Sequence, residues 1–248
     1  MNVVLVHGAW ADGSSWSGVI EALHARGHRV AAVQLPMTSL EADIDATRRA
    51  IHKIGGAVVV GHSYGGFVIT AAAAEMPTVR SLVFVAAYAP IHGETIASIS
   101  HAATQMPGGH AIIYGDDGWT SVDPEQFGSA LGADLSVETQ KVLAAVQGPT
   151  HVSCLITAID TDIAWQELPC HYVVSTNDQI LAPALQQTFA ARIDARVTEI
   201  PGSHLALLSH PTIVADAIEA TMNDPVPTTS PRTAPLTPAR EGQLHDGL

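Results

Sequence analysis

The chain reads as an α/β protein built on a doubly wound, mostly parallel sheet, and three observations carry that reading. Short β-branched runs alternate with helical patterns from residue 2 to about residue 87 and again after residue 168, which implies right-handed crossovers and helices on both faces of the sheet. A serine sits in Gly61-His62-Ser63-Tyr64-Gly65-Gly66, where the apolar run Ala57-Val58-Val59-Val60 breaks into the alanine-rich stretch after Phe67. Two later strand-like runs end just before Asp178 and His204, and the carboxyl ends of parallel strands are where such sheets keep their sites.

In chain order, 2–6 is the first strand. A helix over 14–26 follows, with Ser14 or Ser15 as cap, Trp16, Ile20 and Leu23 on one face, and Gly27 as terminator. Residues 28–35 form the next strand. Leu40, Ile44, Thr47, Ile51 and Ile54 recur every three or four residues, the stripe of a helix laying one face on a sheet. Strands over 57–60 and 81–87 come next, with 171–176, 196–200 and a helix over 211–222 toward the end.

Between about 91 and 167 the alternation fails. Gly108-Gly109, Gly115-Asp116-Asp117-Gly118, Asp123-Pro124 and Gly148-Pro149 interrupt short helical candidates, notably 136–147 opened by a serine cap. A long insertion after a core strand is uncommon unless it binds something or closes over a site. Residues 1–90 and 168–222 are therefore read as the core and 91–167 as a largely helical cap over the pocket. Met106, Tyr114, Trp119, Phe127 and Trp165 lie in that cap, and Trp119 is taken as a substrate contact. The tail 223–248 has five prolines and no apolar periodicity. It cannot bury enough surface to offset the entropy of ordering, so disorder or an appended extension is expected.

The serine motif has the form of a nucleophile elbow. Glycines two residues either side of Ser63 allow a sharp turn without Cβ clashes, lifting the hydroxyl toward a pocket. A serine hydroxyl needs a base, and the base needs an orienting group. Asp178 follows the run His171-Tyr172-Val173-Val174-Ser175-Thr176, and His204 follows Arg196-Val197-Thr198-Glu199-Ile200 and Pro201-Gly202-Ser203. The order Ser63, Asp178, His204 differs from the orders used on unrelated protease folds. The oxyanion of acyl transfer needs donors. The backbone N–H groups of Ala9, in the loop after the first strand, and of Tyr64, after the serine, are the expected pair. His7 and His62 are read as structural.

On Val6-His7-Gly8-Ala9-Trp10, Gly61-His62-Ser63-Tyr64-Gly65-Gly66, Ser175-Thr176-Asn177-Asp178 and Gly202-Ser203-His204 running on to Ser209-His210-Pro211, the chain resembles the α/β hydrolases. Specifically it resembles the small branch that contains plant methyl-salicylate-type esterases, hydroxynitrile lyases and bacterial esterase relatives. That resemblance covers 2 to about 222 and implies a sheet of about six strands, all or nearly all parallel, because this branch begins directly at the strand leading into the His-Gly loop. It also implies a cofactor-independent serine hydrolase of small carboxylic esters or lactones, with Trp10 and Tyr64 flanking the acyl pocket. The same framework carries lyases, carbon–carbon bond hydrolases, cofactor-free oxygenases and small-molecule receptors, and burst kinetics with a chromogenic ester would tell slow receptor-like turnover from catalysis. Lyases of this branch carry a lysine directly after the catalytic histidine; here that residue is Leu205, also taken as a substrate contact, which favours ester hydrolysis.

Composition narrows the remaining classes. The 248 residues suffice for one α/β domain with a full core, and 47% hydrophobic content agrees with a buried sheet. A formal net charge of −13, with 11 lysines and arginines spread along the chain, argues against a nucleic-acid partner. No apolar run reaches the ~18 residues of a membrane span, and no secretory leader pattern opens the chain, so a cytoplasmic location is expected. Cys154 and Cys170 match no metal or redox spacing and are read as packed thiols; no metal or cofactor is expected. Oligomeric state is left open, a homodimer being one option.

Overall fold

In the computed structural model, which describes residues 1–55 and 57–222, β1 (Asn2–Val6) leads through a 3-10 turn at Gly13–Trp16 into α1 (Ser17–Ala25). Then come β2 (Arg29–Ala32), α2 (Leu40–Ile54), β3 (Ala57–His62), α3 (Gly65–Ala72) and β4 (Val79–Val85). The insert that follows holds α4 (Ile96–Ala102), β5 (Ile112–Tyr114), β6 (Trp119–Val122), α5 (Phe127–Leu131), α6 (Val137–Val146), β7 (Thr150–His151) and α7 (Ser153–Ile156). The chain returns through β8 (Cys170–Ser175), α8 (Pro183–Arg192), β9 (Arg196–Ile200), α9 (Ala206–Ser209) and α10 (Pro211–Thr221).

Six strands form the main sheet in the order β2-β1-β3-β4-β8-β9, and every neighbouring pair is parallel. Val3 to Val6, Val58 to Val60 and Leu82 to Val85 are buried on both faces, as expected for the central strands of a parallel sheet covered by helices. Removing each such side chain from water contributes about 1.5–3 kcal/mol. The chain steps outward from β1 to β2 and then returns to β3 on the other side of β1. That reversal opens a crevice at the carboxyl ends of β1 and β3, where the His7-Gly8-Ala9-Trp10 loop and Ser63 lie.

Several boundaries differ from the sequence reading, each for a local reason. Neither Ser14 nor Ser15 caps the first helix: Asp12 accepts the Ser14 N–H at 2.6 Å and winds a 3-10 turn first. The second strand is shorter because the Leu35 N–H leaves the sheet for Nε2 of His7, 3.1 Å away. The strand read at 81–87 is displaced toward its start because Ala86 takes a φ of 43°, which ends extended pairing. Helix α2 follows the apolar stripe, capped by Ser39, and α6 is capped by Ser136.

The insert also contains a three-stranded antiparallel sheet, β5-β6-β7, that the sequence did not announce. Its strands hold three, four and two residues, too few for alternation to show. Gly115-Asp116-Asp117-Gly118, read as an interruption, is the turn between β5 and β6, with Gly118 at a φ of 83°. Among the described residues no helix is long and apolar enough to cross a membrane, and both cysteines are buried. The tail 223–248 lies outside the described residues.

Candidate active site

Ser63 has a φ of 53°, a left-handed conformation that costs a residue with a Cβ about 1 kcal/mol or more. Neighbouring strands over-determine it. Its N–H donates to Val85 O at 3.2 Å, and its C=O accepts from Gly66 N at 3.0 Å and Tyr88 N at 3.2 Å. The flanking glycines are required by close approach: a Cβ on Gly61 would lie 2.6 Å from Gly65 O, and one on Gly65 would lie 2.5 Å from Val6 O.

Asp178 is fully buried just past β8. One carboxylate oxygen accepts the N–H groups of Ile180 at 2.8 Å and Leu181 at 2.9 Å. The other accepts Nε2–H of Gln186 at 2.9 Å and Nδ1–H of His204 at 2.6 Å. With Nδ1 protonated toward the carboxylate, Nε2 of a neutral His204 carries the lone pair a general base needs. The histidine is also held through its backbone, since His62 donates Nε2–H to His204 O at 2.9 Å. His62, adjacent to Ser63, thus joins the serine and histidine loops. Burial, then repulsion from His204, holds the His62 pKa well below the ordinary histidine value, so it stays neutral beside the second imidazole. His7 braces the first loop, with Nδ1–H on Gly8 O at 2.8 Å and Nε2 accepting from Leu35; burial lowers its pKa as well.

The insert grips the histidine loop from the other side. Asp134 accepts from Ser203 N at 3.1 Å, Ser203 Oγ at 2.5 Å and Ser209 Oγ at 2.7 Å. Burial alone would raise its pKa, but these hydrogen bonds hold the carboxyl below the ordinary aspartate value.

The backbone N–H groups of Ala9 and Tyr64 have no acceptor among the described residues. The Tyr64 side chain points into the core, its hydroxyl donating to Asp43 Oδ2 at 2.6 Å, so Tyr64 meets the cavity while its ring is anchored behind it. Asp43 also accepts Met37 N–H at 2.8 Å and the Cys154 thiol at 3.7 Å; its own burial pushes its pKa up.

Ser63, Ala9, Trp10 and Tyr64 face one cavity of about 200 Å³, enclosed further by Met106 and Leu181. Among the described residues no Asp, Glu, Lys, Arg or His side chain lines it, so it suits a neutral, mostly apolar guest. A second cavity of about 30 Å³ shares Ala9 and Trp10 with the first and is lined also by His204, His62, Phe127 and Leu205. The structure places the other two expected substrate contacts apart from the cavity that Ser63 faces. Leu205 belongs to the smaller cavity, because its N–H is tied to Leu131 O at 3.0 Å. Trp119 lines neither cavity; it packs edge-on against His151 with ring centroids 5.1 Å apart. Gln186, Asp43 and Asp134 were not found from the sequence: Asp43 and Asp134 act across 21 and 69 residues, and Gln186, eight residues from Asp178, lies on a helix where a glutamine carries no local signal.

An α/β fold with a serine elbow and an acid–histidine pair beyond later strands defines a class of hydrolases, and comparison with known proteins gives the family. The model of the alpha/beta hydrolase family matches residues 3–217, so the chain belongs to that family. It is 36% identical over 112 residues to a carbendazim hydrolyzing esterase of Nocardioides sp. (strain SG-4G), a match spanning 40% of this chain and 46% of that protein. A probable hydrolase of Phoma sp. is 24% identical, over 87% of this chain and 96% of the relative. Among solved structures, a pyrethroid hydrolase from Sphingobium faniae JZ-2 superposes with a TM-score of 0.79 at 22% identity, covering 91% of this chain and 98% of that one. A methylesterase from Arabidopsis gives 0.75 at 15% identity, covering 90% and 98%.

Proposed function

We propose that the chain is a cofactor-independent serine hydrolase of small, neutral carboxylic esters or lactones. The observation that carries the reading is the 2.6 Å hydrogen bond between His204 Nδ1 and the buried Asp178, in a fold that presents Ser63 on a left-handed elbow to an uncharged cavity. Ser63 Oγ attacks the acyl carbon as His204 Nε2 takes its proton. The N–H groups of Ala9 and Tyr64 receive the oxyanion, and His204 then protonates the departing alcohol. Water, activated by the same imidazole, releases the acid from Ser63. Asp178 stays ionised, fixing the tautomer and stabilising the transient imidazolium. The names of the relatives, an esterase and a pyrethroid hydrolase, agree with ester substrates. The test combines a panel of p-nitrophenyl esters of increasing acyl length with a serine-directed phosphonate. Turnover should depend on Ser63, and digestion with mass spectrometry should find the phosphonate on Ser63 alone; labelling elsewhere with turnover intact in Ser63→Ala would overturn the reading.

A further inference from the structure

The residue after Ala9 is held from outside its own loop. Trp10 takes a φ of 56° without being glycine, and both of its N–H groups are bound by the insert. The backbone N–H donates to Thr150 Oγ1 at 3.1 Å, and the indole Nε1–H donates to Thr120 Oγ1 at 3.0 Å. Thr120 in turn donates its hydroxyl to Thr150 O at 2.8 Å, so its lone pair is left aimed at the indole. Thr120 and Thr150 are partners across the antiparallel pair β6–β7, and both are buried. The same segment is tied to the loop after β2, with His151 N–H on Met37 O at 2.9 Å and Ser153 Oγ on Thr38 O at 2.8 Å. It then continues into Val152, Leu155 and Ile156, which line the larger cavity.

We propose that Thr150 and Thr120 are positioning residues for the oxyanion hole, holding the Ala9–Trp10 peptide so that the Ala9 N–H points at the developing charge. A left-handed tryptophan persists only when its surroundings impose it, and a buried N–H without an acceptor drives the peptide to rotate. Either change turns the neighbouring Ala9 peptide, and a displacement of about 1 Å at such a donor is enough to cost about 100-fold in rate. The insert is thus part of the machinery that reads the transition state, while Val152, Leu155 and Ile156 of the same segment read the substrate. This inference rests on the acyl-transfer reading of Ser63.

The experiment replaces Thr150 with valine, which keeps the β-branched shape and removes the acceptor, and with serine, which keeps the acceptor. Ester turnover that survives Ser63→Ala would fail the underlying reading and is measured first. In Thr150→Val, kcat should fall about 10- to 100-fold with KM within about threefold, and Thr150→Ser should recover most of the loss. Affinity for an alkyl boronic acid, which adds to a serine hydroxyl and carries the tetrahedral oxyanion, should fall in parallel with kcat/KM. Affinity for the matching carboxamide, which carries no such charge, should stay unchanged. An unchanged kcat in Thr150→Val overturns the proposal, and so does an equal loss of boronate and carboxamide affinity, which would signal a cavity deformed as a whole. If Thr150→Val does not fold, Thr120→Val is read by the same pair of inhibitors, and parallel loss of both again overturns it.

Discussion

The carboxyl ends of the main-sheet strands and the segment inserted between β4 and β8 are held by different physics. At the strand ends, Ser63, Asp178 and His204 each follow a regular element by a few residues, and the bonds that hold them come largely from neighbouring strands and loops of the sheet. In the insert, the strands are very short and, beside a few backbone bonds, much of the anchoring is done by single polar side chains reaching across long separations: Thr150 and Thr120 to Trp10, Cys154 to Asp43, Asp134 to Ser203. A buried parallel sheet tolerates loss of one surface contact because apolar packing carries most of its stability. A network of single hydrogen bonds does not, since each removal leaves a buried partner unsatisfied.

The largest expected effect tests the sheet side. Ser63→Ala should lower ester kcat by at least about 10³-fold with melting temperature unchanged or higher, because alanine relieves none of the fold's contacts and the chemistry alone is lost. A retained rate would end the contrast by removing the site from the strand ends. Next, Asp178→Asn should lower kcat by about 10²- to 10⁴-fold, since an amide donates toward Nδ1 and favours the wrong tautomer. Near-normal turnover would mean that another carboxylate, such as Asp160 or Asp162, orients His204.

Acid should weaken the braces before it reaches the sheet. His7 and His62 have lowered pKa values, chiefly through burial, so the unfolded chain binds more protons than the native state below the ordinary histidine pKa of about 6.5. Stability therefore falls as pH drops below that point, by up to about 1.4 kcal/mol per pH unit for each histidine. Asp43, raised by burial, acts in the opposite sense, so the test compares melting curves of wild type and His62→Gln between pH 7 and 5. An identical slope in the two proteins would remove His62 as a brace.

Two smaller predictions concern the margins of the site. Leu205 lies directly after His204 and is tied into the insert, and among the described residues no lysine or arginine accompanies it in the lining of either cavity. A departing cyanide would have no partner there, so mandelonitrile should release no cyanide above background while p-nitrophenyl acetate is hydrolysed. Cyanide release that vanishes in Ser63→Ala would put the lyase reading first. Finally, deleting 223–248 should leave activity intact and move the melting temperature by less than about 5 °C.

What could be read in the sequence follows from the same contrast. Valine runs and the glycine-flanked serine are local signals, and a mostly parallel sheet with a sharp turn at Ser63 was legible from them, while the count of six strands came from the family resemblance. Asp178 and His204 were legible because parallel strands place their following residues at one edge. The place of Trp119 was not legible, because an aromatic in an insert looks the same whether it meets a ligand or a neighbouring histidine. The place of Leu205 was not legible either, because adjacency to His204 in sequence did not say which cavity its side chain would line. Thr120, Thr150 and Asp43 could not be found at all, since threonine in a short polar run and aspartate in the first turn of a helix are ordinary choices whose partners lie roughly 20 to 140 residues away.

The order of the main sheet leaves β2 and β9 as its two outer strands. An outer strand offers unpaired backbone groups to any extended chain that drifts alongside, and self-association in crowded solution starts from such rims. Both rims are poor templates here. β2 has four residues and begins with Arg29; β9 has five, begins with Arg196 and carries Glu199. Desolvating those charges against a second sheet is unfavourable, which makes either rim a costly place for another extended chain to pair.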